Sequence, residues 1–407
     1  MVIGIDASRA NRNYKTGTEW YSYYLIKNLA EIDLKNKYIL YTDKPLVGGL
    51  AEIVAKHQNF RVKLLKWPPQ YFWTLGRLSL EMLKFWNRPK VLFVPAHAIP
   101  LIHPRRTITT VHDIAFTKEA SVYDQPIIPS GGKFLRRAFL ALLRHYLFLT
   151  SGKFDYKSTD YLNWSTKYAL KHARKVITVS GFTKNEIIST YKTPAAKMVV
   201  IHNGYNNLLY KKITDEQKIK EVLGKYGVSQ PFILCVGRLE KKKNIPMLIE
   251  ALALLKERHP EIKTKLLLIG HAGYGYDEIN YIIEEYNLNS EVMMLGWVEE
   301  TDLPYIHNAA SAFVFPSRHE GFGIPVIQAL ACGLPTAVSN LPVLEEVAGE
   351  AVLYFDKDNK DDIAEKLFQL LTNNNLRQEL SSKGLERAKQ FSWRKCAQET
   401  LVEIEKL

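Results

Sequence analysis

Cysteine is scarce. The 407 residues contain three, Cys235, Cys332 and Cys396, too few and too scattered for a disulfide frame or a zinc site. Long apolar runs are missing too: the stretch from Ala138 is cut by Arg144, far short of the ~18 residues a membrane-spanning helix needs. No extended apolar leader follows Met1, because Asp6 interrupts Val2-Ile3-Gly4-Ile5, so a secretory signal is not expected. No internal repeat and no low-complexity tract stand out. No Gly-x-Gly-x-x-Gly follows the first apolar strand, which disfavours a NAD-dependent dehydrogenase. With 46% hydrophobic and 24% charged residues, a disordered or collagen-like chain is excluded. A cytoplasmic globular protein is the expectation, and its length suits two or three domains.

Acidic residues are also in short supply, but only in one half. Residues 1–206 hold 31 Lys plus Arg and 13 Asp plus Glu, a net +18; residues 207–407 hold 24 and 29, a net −5. Together they make the formal +13. The asymmetry implies two domains with different partners.

Short apolar strands alternate with helical patterns along both halves. In the first these are Val2 to Ile5, Tyr38 to Tyr41, Val91 to Val94, Thr107 to Val111 and Lys175 to Val179. In the second they are Phe232 to Val236, Lys265 to Ile269, Val292 to Leu295, Ala312 to Phe315, Pro335 to Val338 and Ala351 to Phe355. Such alternation indicates βαβ units, hence an α/β protein with two doubly wound domains. The boundary is set at 1–206 and 207–390, after the turn at His202-Asn203-Gly204, and a last helix within 391–407 is able to pack back on the first domain. Residues 151–160 read as a loop.

Ligands of doubly wound sheets gather at the C-terminal strand ends. There, Phe232 to Val236 runs into Gly237-Arg238-Leu239-Glu240-Lys241-Lys242-Lys243. A Gly turn admits close backbone approach, Arg238 offers a bidentate fork and Lys243 a mobile cation, a set suited to a diphosphate. Lys241 and Lys242 read as solvated charge. Farther on, Glu320-Gly321-Phe322-Gly323-Ile324-Pro325 precedes a helix, whose free N–H groups favour an anion. Glu320 reads either as a carboxylate for sugar hydroxyls or as a capping residue. Gln328 reads either as a nucleoside contact or as a surface residue. His112 ends a strand and is followed by Asp113, while His97 reads as structural or acceptor-side. Asp356-Lys357-Asp358 reads as a negatively charged helix start rather than a metal site. Ser180 and Lys184 read as helix-capping positions.

These two segments, with Val179-Ser180-x-Phe182-Thr183-Lys184, His202-Asn203-Gly204, Leu295-Gly296-Trp297-Val298 and Glu346-Val347, resemble family-four retaining glycosyltransferases of the GT-B fold, in which two Rossmann-like domains face each other across a cleft. The resemblance spans nearly the whole chain. It implies that Gly237, Arg238, Lys243, Val298, Gln328 and the segment Gly321, Phe322, Gly323 and Ile324 bind a nucleotide-sugar donor. By the same resemblance Glu320 contacts the transferred sugar, Gly17 lines the cleft, and His112 meets the sugar near its C6 hydroxyl. Arg238, Lys243 and the helix N-terminus would stabilise the leaving diphosphate in place of a metal ion, so neither a metal nor a cofactor is expected. The Gly-Thr-Glu and Val-His-Asp segments look like the mannosyltransferase branch, which favours GDP-mannose over a UDP-sugar. One departure stands out. The family's usual second glutamate, which holds the ribose hydroxyls, is Gln328 here, and an amide in its place weakens that grip. Asn206, where the family usually has Asp, is a milder one. Two rivals fit the same residues: a GT-B sugar-nucleotide epimerase and a catalytically weakened sugar-nucleotide binder.

The acceptor side is basic and aromatic. From Arg61 to Arg106 nine basic residues face one acid, Glu81, among Trp67, Tyr71, Phe72, Trp73, Phe85 and Trp86; residues 131–149 add Lys133, Arg136, Arg137 and Arg144 with no acid. Such a stretch is either an ordinary core face with solvated charges or a surface for an anionic membrane. With no nucleic-acid motif, the expected acceptor is a glycan or a lipid-linked glycan at the inner face of the membrane.

Overall fold

The computed structural model describes residues 1–67, 72–118, 123 and 158–407. Tyr71, the basic stretch 131–149 and residues 151–157 lie outside them. Residues 158–160 are described and are helical, opening Ser158–His172, where the sequence reads as loop.

The chain divides into two compact units, Met1–His202 with Trp393–Leu407, and Asn203–Ser392. The first break falls after His202 instead of Asn206. Ile201 N–H donates to Thr178 O, 2.9 Å away, in the first sheet, whereas Tyr210 stacks edge-on against His307 of the second unit. The second break is equally local. Phe391 packs on Phe322, and Trp393 stacks on Tyr24 at 5.5 Å, nearly parallel. The helix Trp393–Glu405 thus belongs with the first unit, against the helix Gly17–Ile32. With this helix included, the first unit keeps a net +18 from 34 basic and 16 acidic residues.

The first unit holds β1 (Val2–Asp6), β2 (Lys37–Thr42), β3 (Phe60–Leu64), β4 (Val91–Val94), β5 (Thr107–Val111), β6 (Lys175–Thr178) and β7 (Met198–Val200). They pair in parallel in the order β3-β2-β1-β4-β5-β6-β7. β4 and β5 are buried along their whole length, as strands covered on both faces must be. β3 escapes a sequence reading because Arg61 and Lys63 alternate with Val62 and Leu64; such a half-exposed pattern is permitted at a sheet edge.

The second unit holds β8 (Phe232–Val236), β9 (Lys265–Ile269), β10 (Val292–Gly296), β11 (Ala312–Phe315), β12 (Thr336–Ser339) and β13 (Leu353–Phe355). Their order is β10-β9-β8-β11-β12-β13, all parallel. β13 starts later than the apolar run because Gly349–Ala351 closes a 3₁₀ turn. The helix Ile245–Arg258 shows how the layers form. Ile245, Leu248, Ile249, Leu252 and Leu255 recur at helical spacing and are buried on β8, β9 and β11, and Pro246 in its first turn needs no N–H partner. Each sheet has a point where chain order reverses, between β1 and β4 and between β8 and β11, and there the outgoing loops part to leave a ligand-accessible edge.

Candidate active site

At the β8/β11 switch point two loops carry the residues singled out from the sequence. The loop after β8 turns at Gly237, whose N–H donates to Ile269 O at 2.9 Å. Gly270, after β9, lies so close that a Cβ there would sit 1.9 Å from Gly237 O. Lys241–Lys243 then form a 3₁₀ turn ended by Asn244, whose φ is 57°. Asn244 Nδ2 donates to Lys357 O at 2.8 Å, and Arg318 N–H donates to Lys242 O at 2.9 Å, which ties the loop after β8 to the loop after β11. The Lys243 ammonium lies 4.6 Å from the centre of the Phe315 ring and 2.5 Å from Glu320 Oε1. Burial pushes the Glu320 carboxyl up, but Lys243 and Lys242 more than offset it, so its pKa falls below the ordinary glutamate value. Glu320 is therefore an ionised, buried carboxylate held by a cation, and the helix Ile324–Ala331 is entered through Gly323 rather than capped by Glu320.

Gly323 has φ 99°, a left-handed conformation that suits glycine. Phe322 is buried and packs edge-on against Phe391, so this residue offers a ligand its backbone and not its ring. Val298 is likewise buried. It follows Gly296, where the β9–β10 register shifts, and Trp297, which stacks on His271 with ring centres 5.2 Å apart. Gln328 lies half-buried in the middle of the helix that Gly323 opens. Arg238 differs from Lys243: its side chain is 57% exposed, with Nε 3.7 Å from Glu240 Oε2. Asp358 is held by Arg318 at 2.7 Å and Lys357 at 2.5 Å. Ser180 caps the helix Gly181–Tyr191, accepting from Thr183 N–H.

The first unit has its own cluster at strand ends. Gly17 begins the helix Gly17–Ile32, capped by Thr16 and Glu19, with Thr16 Oγ1 donating to Glu19 Oε2 at 2.5 Å. His112 follows β5. Its Nε2 is 3.1 Å from Pro95 O, and its ring meets Tyr21 edge-on at 4.7 Å. A carbonyl only accepts, so Nε2 carries the proton and Nδ1 is the acceptor. Burial lowers the His112 pKa despite the Pro95 contact and Asp113, favouring the neutral ring. His97 is pushed down to about 3 by burial, then by Arg9 and His112. Arg9 had no motif to mark it in the sequence. It pairs with Glu19 at 3.3 Å and influences His97 and His112 alike.

Comparison with known proteins agrees with this architecture. The model of the family described as "Glycosyl transferases group 1" matches residues 215–387, and that of "Glycosyltransferase Family 4" matches residues 15–207. The O-antigen chain mannosyltransferase B of Escherichia coli is 31% identical over 322 residues, covering 79% of this chain and 82% of the relative. The O-antigen chain mannosyltransferase RfbU of Salmonella typhimurium is 26% identical over 300 residues, 74% of this chain and 69% of its own. Sucrose-phosphate synthase from Thermosynechococcus elongatus superposes with a TM-score of 0.70 at 18% identity, over 98% of this chain and 97% of that one. Two parallel Rossmann-like sheets with these relatives define the GT-B fold. The chain belongs to the family 4 glycosyltransferases, and it is similar to mannosyltransferases within them.

Proposed function

We propose that the protein transfers mannose from GDP-mannose, with retention of anomeric configuration and without a metal ion, to a glycan or lipid-linked acceptor at an anionic membrane surface. The observation that carries the transfer chemistry is the buried Lys243–Glu320 pair, 2.5 Å across, at the switch point of the second sheet. Similarity to the O-antigen mannosyltransferase supports the choice of sugar.

Breaking the sugar–phosphate bond leaves negative charge on the nucleoside diphosphate and positive charge on the anomeric carbon. Lys243, fixed over Phe315, and the N–H groups opening the helix Ile324–Ala331 meet the former; exposed Arg238 is free to fold onto the outer phosphate. Glu320, kept ionised beside Lys243, accepts hydrogen bonds from sugar hydroxyls and favours the cationic carbon. His112, neutral with an acceptor Nδ1, takes a sugar hydroxyl. Retention follows when the acceptor attacks from the face the phosphate leaves, with the phosphate taking the acceptor's proton.

Incubation with labelled GDP-mannose and a mannose-terminated lipid-linked acceptor tests this. The expected product is an α-mannoside formed equally well in excess chelator. Nucleotide-sugar turnover that labels no acceptor would sink the transferase reading. Binding of GDP-mannose without turnover would favour the catalytically weakened sugar-nucleotide binder.

A further inference from the structure

Among the described residues, fifteen large apolar side chains are exposed, and four of them, Leu80, Leu83, Phe85 and Trp86, fall within seven consecutive residues. Scattered exposed apolar groups need no explanation, but a cluster does. Phe85 is 63% and Trp86 86% exposed, on a 3₁₀ turn, Phe85–Asn87, that follows the short helix Ser79–Met82.

The turn is braced at both ends. Before it, Met82 is fully buried and Glu81, 2% exposed, is gripped by Lys63 at 2.5 Å, Arg77 at 3.3 Å and Lys84 at 3.6 Å. After it, Pro89 packs so tightly on β1 that a Cβ on Gly4 would lie 2.7 Å from the Pro89 ring. The bulky tip therefore projects from a fixed base. Its rim is cationic: the Arg88 guanidinium sits 4.7 Å from the Phe85 ring centre, and Lys90 is exposed. Between residues 61 and 90 there are seven basic residues and one acid, and that acid is the buried, thrice-paired Glu81. Within this segment of a unit with net +18, cations surround an aromatic tip and the single carboxylate is buried and paired.

We infer that the turn Leu83–Arg88 is a membrane-docking tip, inserting Phe85 and Trp86 at the headgroup level while Arg88 and Lys90 bind anionic lipid phosphates. Aromatic insertion and basic attraction are two weak signals that together hold a protein on a bilayer. The charge complementarity selects an anionic lipid surface over a neutral or apolar protein partner. The inference rests on the proposed reading of an acceptor met at the membrane, and it names the surface that meets it.

Flotation of the full chain with phosphatidylcholine vesicles, with and without phosphatidylglycerol at about 30 mol%, tests it. The wild type is expected to float with the anionic vesicles, in a salt-sensitive manner, and not with the neutral ones. Phe85→Ser with Trp86→Ser should weaken partitioning on the order of tenfold or more, and Arg88→Gln and Lys90→Gln about fivefold each. All should keep the wild-type melting temperature and transfer to a water-soluble acceptor. Floating of the aromatic variant like wild type, or equal binding to neutral vesicles, would overturn the inference. So would a dimer that the aromatic substitutions convert to monomer, since a second copy would then own the patch. Failure of the transfer reading shows separately, as loss of sugar transfer with vesicle binding intact.

Discussion

Lys243 Nζ lies 2.5 Å from Glu320 Oε1, with only 14% and 10% of the two side chains exposed. Removing one partner strands a charge in a poorly hydrated place, whereas replacing both removes the conflict. Allowing for the residual exposure, Lys243→Met or Glu320→Leu should each cost about 2–3 kcal/mol of stability, and the double variant less than either alone. Thermal or denaturant unfolding measures this. Sugar transfer should fall roughly 10³-fold or more in all three, because recovered packing does not restore the charges the reaction needs. A double variant as unstable as the sum of the singles would mean the two residues do not act as a pair.

Two histidines, the half-buried His97 and the fully buried His307, set a pH dependence. His97 is pushed down to about 3 and His307 to about 4, each first by burial; His307 is held through Nδ1 against Leu303 O at 2.8 Å. An unfolded histidine titrates near 6.5. Below that pH the unfolded chain binds protons that the folded one refuses, so stability is complete above about 6.5 and falls as pH drops toward 4 and 3. Each histidine contributes a slope of about 1.4 kcal/mol per pH unit over its window. The Glu320 carboxyl, lowered by Lys243 against burial, adds a loss of the same sign farther down, as pH falls through its folded value. His307→Phe should flatten the decline between pH 6.5 and about 4.5 in urea unfolding. A curve as steep as wild type would contradict the assignment.

Much of this was legible in the sequence, for a physical reason: strands covered on both faces must be continuously apolar, and Phe232 to Val236 or Val91 to Val94 can scarcely be anything else. The candidate site was legible in its parts, because Gly237, Lys243, Glu320 and Gly323 stand at strand-to-helix turns where sheets of this class bind ligands. What could not be read was their partnership. Lys243 and Glu320 are 77 residues apart and meet only because β8 and β11 are neighbours, an order that no local pattern encodes. β3 was hidden by its edge position, Arg9 by an unremarkable loop. Glu81 read as one acid among nine bases; its three cation partners and its burial depend on how β3 and the following helix pack.

The amide at Gln328 makes a prediction in the opposite direction from most substitutions. If this half-buried position holds ribose hydroxyls, a carboxylate accepts from both, while the amide turns one donor against them. Gln328→Glu should then tighten GDP binding about three- to tenfold by calorimetry, since hydrogen bonds to charged groups are the stronger kind. Unchanged affinity would remove Gln328 from the nucleotide site.

Two glycines should separate a steric requirement from a functional one. At Gly270 a Cβ would stand 1.9 Å from the carbonyl oxygen of Gly237, a backbone atom that cannot move without breaking the turn after β8. Gly270→Ala should therefore cost at least about 3 kcal/mol or leave no soluble protein. At Gly17 a Cβ would meet nothing within 4 Å. As the first residue of its helix, Gly17→Ala should leave stability unchanged or raise it by up to about 0.5 kcal/mol, since alanine loses less backbone entropy. If the open space beside Gly17 is occupied by substrate during transfer, kcat/KM should nevertheless drop about tenfold or more, as expected when a methyl group displaces a reacting partner by a fraction of an ångström. Unchanged unfolding together with unchanged kcat/KM would show that nothing approaches Gly17, and the glycine would then be incidental to the reaction.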